Sequence, residues 1–245
     1  MVSGRAVADA VARAKRMPRL HVGLHVTVTD ASPVLEPTLV PLLVGGNGEF
    51  SKQLVRSGIA FAFSSRVRAQ LADEIRAQFE AYRETGLALD HVTGHNHMHI
   101  HPVVLELILR IGRAYGVRAV RLPYEPFAPS WRAAHQDFFA RFGYAVPLWP
   151  IVQWMRRRLG RSGVRHNDFL FGICDSGRMT ADRVLALLGV LPDGVSEMHF
   201  HPATALWPGM PAYSRCEEEL AALTNPEVAS ALREHGIEIV SFCDL

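Results

Sequence analysis

The sequence predicts an α/β fold whose strands run parallel, and three observations predict it. Segments with a two-residue apolar period alternate along the chain with segments of helical period. Each helical segment is punctuated by a Gly, Pro or capping residue. Repetition of strand then helix, without runs of hairpins, is the pattern of a parallel sheet, either open or closed into a barrel.

The elements follow in order. A helix is expected over about Ala6 to Met17, leading to a strand at His21 to Val28. A long helix from about Val67 to Glu84 places Val67, Leu71, Ile75, Phe79 and Tyr82 on one face, and Gly86 stops it. A strand through His91 to His101 comes next. Pro102 suits a helix start, and the apolar run Val103 to Tyr115 ends at Gly116. A short strand is expected at Ala119 to Leu122. Thr180 is placed to cap a helix ending near Gly189, and Val195 to His201 has the alternation of a strand. Asn225-Pro226 opens a last helix that closes at Gly236, before a final strand at Ile237 to Phe242. The stretch of about 124–177 breaks the rhythm. It is rich in aromatics and Pro, then basic at Arg156, Arg157, Arg158, Arg161 and Arg165, and is read as a lid inserted over one end of the sheet.

A chain of 245 residues, 49% hydrophobic, can bury a large core, and the whole of 1–245 is read as one domain. A net charge of +2 gives no basis for a nucleic-acid partner. Cys174, Cys216 and Cys243 are odd in number and far apart, which excludes a disulfide framework and suggests a reducing, cytoplasmic setting. The first twenty residues lack the apolar core of a signal peptide, and no run of about 18 apolar residues is present.

Histidine is the unusual component: there are 12, and five lie between His91 and His101. Alternation along a strand puts His21, Gly23, His25 and Thr27 on one face, with Val22, Leu24, Val26 and Val28 opposite. The same parity groups His95, His97, His99 and His101, and later Glu197, His199 and His201. Burying so many unpaired polar groups would cost roughly 1–3 kcal/mol each, which a metal or a wet cavity avoids. Imidazoles from neighbouring strand ends can build a metal site at the rim of a barrel. One or two of the four in His-x-His-x-His-x-His would be ligands, because the strand spreads them out. His135, His166 and His235 are expected at the surface, with His21 and His91 structural at buried strand ends.

Four segments carry a family resemblance: Val22-Gly-Leu-His-Val-Thr-Val28, Asp90-His-Val-Thr-Gly-His-Asn-His-Met-His-Ile-His-Pro102, Val120-Arg-Leu-Pro-Tyr-Glu125 and Glu197-Met-His-Phe-His-Pro202. In order and composition they resemble the motifs of YdjC-like carbohydrate deacetylases, most closely the branch associated with hopanoid biosynthesis. Ala203 stands where the family usually has Gly.

The resemblance implies a distorted (β/α) TIM-like barrel and a divalent cation, Mg or Zn-like, held by an Asp and two His. The implied reaction is hydrolysis of the N-acetyl group of an amino sugar, which for the hopanoid branch would be lipid-linked. Carried over, His25 and His95 are the metal ligands, with His99 the alternative to His95, and His201 is the catalytic acid. His97, His99, Arg121, Glu125 and Glu197 fall to substrate contact or ligand support. Family members begin with a strand bearing an Asp-Asp pair, whereas this sequence opens in what resembles the following helix. About 30 residues, the first strand of the barrel with its helix, are therefore expected to be missing, as in a truncated reading frame. Such a barrel would expose two strand edges.

Further expectations are peripheral contact with the inner membrane surface through the lid, and a homodimer. The alternative function is a non-catalytic metal- or sugar-binding relative without the Asp pair. A barrel phosphoesterase ranks third, because the strands offer only Glu197 beside their histidines.

Overall fold

The structure, a computed structural model, describes residues 1–206 and 210–245. Its elements run α1 (Val7–Lys15), β1 (Leu24–Val26), α2 (Leu54–Phe63), α3 (Ser65–Glu84), β2 (Val92–Gly94), α4 (Pro102–Gly112), α5 (Phe127–Ala134), α6 (Phe138–Arg161), β3 (Phe169–Phe171), α7 (Ala181–Leu188), β4 (Ser196–Met198), α8 (Cys216–Leu223) and α9 (Pro226–Glu234). This is an α/β fold with many helices and few, short strands. Two compact units divide the chain. The first comprises Met1–Arg121, Met155–His166 and Ser241–Leu245; the second comprises Leu122–Trp154 and Asn167–Val240.

In the first unit β1 and β2 pair in parallel, with Leu24 opposite Val92, His25 opposite Thr93 and Val26 opposite Gly94. Single parallel bridges, Val92 to Val120 and Ala119 to Arg165, extend the pairing. The strand expected at Ala119 to Leu122 is thus reduced to bridges. On α3 the expected face of Val67, Leu71, Ile75, Phe79 and Tyr82 is buried. Each such large side chain stabilises the unit by about 1.5–3 kcal/mol. Two polar residues share that buried stripe. Gln78 exchanges hydrogen bonds with the Thr27 backbone, its Oε1 accepting from N at 2.8 Å and its Nε2 donating to O at 2.6 Å. Glu74 accepts from the backbone N–H groups of Val34 and Leu35. Together they hold the end of β1 and the loop after it against α3.

The second unit pairs β3 with β4, also in parallel, over a core of Phe171, Met179, Val184, Leu187, Leu188 and Ala222. It also buries charge. Arg141 is fully enclosed and donates to both oxygens of Asp175, at 3.0 and 2.7 Å, and to Ser130 Oγ at 2.6 Å. Glu125 lies 3.4 Å from the same guanidinium. Thr180 sits at the N-cap of α7, as expected, and Asn225 caps α9 through a bond from the Glu227 N–H.

Several expectations need correction. The histidine-rich segment is a strand only to Gly94; from His95 to Ile100 it forms tight turns kinked at Asn96 (φ 50°) and His97 (φ 54°). Glycine permits the reversal, because a Cβ on Gly94 would stand 2.7 Å from His99 Nδ1 and 2.9 Å from the His99 backbone N. His95, His97, His99 and His101 therefore do not share a strand face. β4 ends at Met198, so His199 and His201 follow the strand rather than line it. Residues 237–240 form no ladder, Ile239 and Val240 are exposed, and the chain instead makes a short turn at Phe242–Asp244 capped by Ser241. His21, expected at a buried strand end, is exposed.

The stretch 124–177 carries α5, the whole of α6 and the sheet strand β3. Within α6, Val152, Met155 and Leu159 are fully buried, so the apolar run before the arginines faces the interior. Arg158 forms an ion pair with Glu106. Among the described residues no helix is long and apolar enough to cross a membrane.

Candidate active site

His25 lies in the middle of β1, half-buried, and the parallel register sets Thr93 directly across from it. Its Nδ1 is 2.6 Å from Thr93 Oγ1. That bond orients the ring and leaves Nε2 as the nitrogen able to meet a ligand. Burial above all, and then neighbouring positive groups including His95 and Arg121, push the His25 pKa down to about 2. The imidazole is consequently neutral at physiological pH, the form that donates a lone pair to a cation.

His95 is the first residue after β2, and its ring stands edge-on to His25 with centroids 5.6 Å apart. The structure therefore brings together the two imidazoles that the sequence nominated as ligands. With both rings half-buried and His25 neutral and held from behind by Thr93, the pair fits two positions of a divalent-cation site. Among the described residues of this unit no third His, Cys, Asp or Glu completes the cluster.

His99 occupies a different environment. It is fully buried, and its Nε2 donates to the Arg121 carbonyl at 3.0 Å. Its Nδ1 is buried and packed against Gly94, and burial drives its pKa well below the ordinary histidine value. A metal could reach Nδ1 only by displacing that backbone. Arg121 is buried too, its backbone N bonded to the Val92 carbonyl, so the His99–Arg121 contact braces the end of β2. His97 is half-buried on the kink, its ring 6.1 Å from that of His99. His101 caps α4, its Nδ1 accepting from the Val103 N–H at 3.3 Å.

In the second unit, His201 is exposed and lies next to His199, with ring centroids 4.4 Å apart. Its Nδ1 is 3.5 Å from Ser176 Oγ, and its backbone N–H donates to the buried carboxylate of Glu219. The other Glu219 oxygen accepts from the Met179 N–H, so the loop bearing His201 is tied to the core. Glu197 is half-buried on β4. Glu125 is engaged throughout: Oε2 accepts from the backbone N–H of Ile173 and Cys174, and Oε1 accepts from Ser130. Burial, the largest influence, raises the Glu125 pKa, and it also pushes the Cys174 thiol up to about 12. The Glu125 and Glu219 carboxylates are thus both engaged in hydrogen bonds through each of their oxygens.

Sequence reasoning missed Thr93, Gln78, Arg141, Asp175 and Glu219. Two of them had a signal. Gln78 is a polar residue inside an otherwise apolar helical stripe, and Arg141 is a lone charge in the aromatic run Phe138-Phe-Ala-Arg-Phe-Gly-Tyr144.

A carbohydrate deacetylase of Geobacillus stearothermophilus is 28% identical over 246 residues, covering 99% of this chain and 83% of that protein. The carbohydrate deacetylase of Mus musculus is 29% identical over 280 residues, covering 100% of this chain and 84% of its own. Among solved structures, an Enterococcus faecalis V583 protein provisionally described as a cellobiose-phosphate cleavage protein superposes with a TM-score of 0.71. It is 20% identical and covers 99% of this chain and 84% of that one, which is a likeness of fold. The model of the YdjC-like protein family matches residues 1–234, a span that takes in the His25–His95 pair and the His201 loop alike. By that match, the chain belongs to the family of YdjC-like proteins.

Proposed function

We propose that this protein is a metal-dependent carbohydrate deacetylase that hydrolyses the N-acetyl group of an amino sugar. One observation carries the reading: the His25 and His95 imidazoles stand together, His25 held by Thr93 and kept neutral by burial. The relatives named carbohydrate deacetylase support it. In this reading His25 and His95 hold a divalent cation, Mg or Zn-like. When bound, such an ion supplies Lewis acidity at the acetyl oxygen. His201, exposed on its loop, protonates the departing nitrogen, because an amide anion is too basic to leave unaided. His97 and Glu197 contact the sugar. His99, Arg121 and Glu125 act as supports, which their burial, the His99–Arg121 bond and the bonds accepted by Glu125 favour. The scaffold is taken to be a distorted (β/α) barrel acting in the cytoplasm.

The finer substrate reading is a glucosaminyl hopanoid lipid met at the inner membrane surface. In support, Phe138, Phe139, Phe142, Val146 and Trp149 leave an exposed apolar stripe on α6, although the buried Val152 and Met155 take no part in it. Acetate release from an N-acetylglucosaminyl lipid and from a water-soluble N-acetylated disaccharide, each with and without EDTA, tests the proposal. Release that EDTA leaves untouched would count against the metal. Release from the disaccharide alone would reject the lipid.

A second reading, a metal- or sugar-binding relative without catalysis, is favoured by one fact. Within its unit the pair has no carboxylate among the described residues to complete the cluster. It predicts cation binding with no acetate released from either substrate.

A further inference from the structure

We propose that the first unit carries a second cation site, formed by His21, Cys243 and Asp244, for a thiophilic divalent ion of the zinc class. Residues 241–245 are held firmly where this site lies. The Phe242 ring stacks on His91 with centroids 4.4 Å apart. Asp90 Oδ1 accepts from the Cys243 N–H at 3.1 Å, and Arg165 Nη1 donates to the carbonyls of Cys243 and Leu245 at 2.8 and 2.6 Å. Ser241 fixes the Asp244 carboxylate through both its hydroxyl and its backbone N–H.

Docking of this segment sets Cys243 Sγ 3.4 Å from His21 Nδ1 and 3.9 Å from Asp244 Oδ1. One ligand atom from each of the three residues lies within 4.8 Å of the others. The spacing suits one ion. Bonds of about 2.3 Å to sulfur and about 2.0–2.1 Å to nitrogen or oxygen, opened at a tetrahedral angle, separate ligand atoms by roughly 3.5 Å. Asp90 Oδ1, 3.5 Å from the same His21 nitrogen, adds negative charge beside the site. Its other oxygen is taken by His91 at 2.7 Å.

A thiolate, an imidazole and a carboxylate select zinc, cobalt or nickel over magnesium. On binding, the Cys243 thiol releases its proton to solvent as the sulfur–metal bond forms, with no change of oxidation state. All three residues are exposed, so a water or an external donor can take the fourth position. The bound ion would tie residues 241–245 to the chain just ahead of β1. Sulfur separates this site chemically from the His25–His95 pair, where the side chain bonded to His25 is the Thr93 hydroxyl.

Cobalt(II) titration of the full chain, with a non-thiol reductant present, tests the proposal. Binding is expected to produce the intense near-ultraviolet thiolate-to-cobalt charge-transfer band. Cys243→Ser, a conservative change at an exposed position, should abolish that band, and His21→Ala should weaken binding about tenfold or more. A variant combining His25→Ala with His95→Ala should retain the band. Absence of the band from the parent chain, or its survival in Cys243→Ser, overturns the proposal.

Discussion

His25 Nδ1 lies 2.6 Å from Thr93 Oγ1, the side chain directly across from it in the parallel register of β1 and β2. A single inter-strand bond thus decides which way the imidazole faces. Removing the hydroxyl without changing volume should expose its role. Thr93→Val is expected to weaken divalent-cation binding by about 10- to 100-fold, as loss of a bond supporting a metal ligand commonly does. Thr93→Ser should restore most of the affinity. Isothermal titration of the three proteins checks this, and equal affinities would remove Thr93 from the site.

The depressed pKa of His25 also predicts a dependence of stability on pH. The unfolded chain takes up a proton near the ordinary histidine value of 6.5, whereas the folded chain does so only near 2. Between those limits the unfolded state binds more protons, so stability falls as pH is lowered. His99, displaced in the same direction, adds to the trend. Urea midpoints at pH 7.5, 6 and 5 should decline steadily, and His25→Gln should flatten the slope. A parallel decline in both proteins would show that His25 does not contribute.

Arg141 bridges Asp175, Ser130 and Glu125 in the interior of the second unit. Arg141→Met fills similar space but leaves two buried carboxylates without their cation. Breaking a buried pair from one side costs about 3–5 kcal/mol. A corresponding loss of unfolding free energy is expected by urea denaturation. A loss below about 1 kcal/mol would mean that Asp175 finds sufficient compensation in Arg183, whose Nε is 3.4 Å away.

His201 and His25 should fail in different ways. His201→Ala is expected to lower kcat by about 10²- to 10⁴-fold while leaving cation affinity unchanged, the pattern of a lost general acid. His25→Ala should lose the cation itself. Parallel measurement of acetate release and metal binding separates them, and a His201 variant that also loses the cation would refute the division of roles.

Helical periodicity was legible in the chain because it depends on spacing alone. Val67, Leu71, Ile75, Phe79 and Tyr82 recur every three or four residues and are all buried on α3. The pairing of His25 with His95 was legible too, through motifs rather than through strand parity. Parity failed just past Gly94, where the chain turns back at Asn96 and His97. Alternation assumes that a strand continues, and what ends this one is the close approach of Gly94 to His99, a contact absent from any local pattern.

The sequence by itself determined the α/β class, the helices α1, α3, α4, α7 and α9, the family and the imidazole character of the proposed site. These are properties of residue type and near-neighbour spacing. The tertiary structure alone decided that Thr93 orients His25, that Glu125 is spent on internal wiring, and that Cys243 comes to rest against His21. Each of these contacts joins residues between 5 and 222 positions apart. Such contacts form only when packing of the whole chain brings their partners together, and no periodicity encodes them.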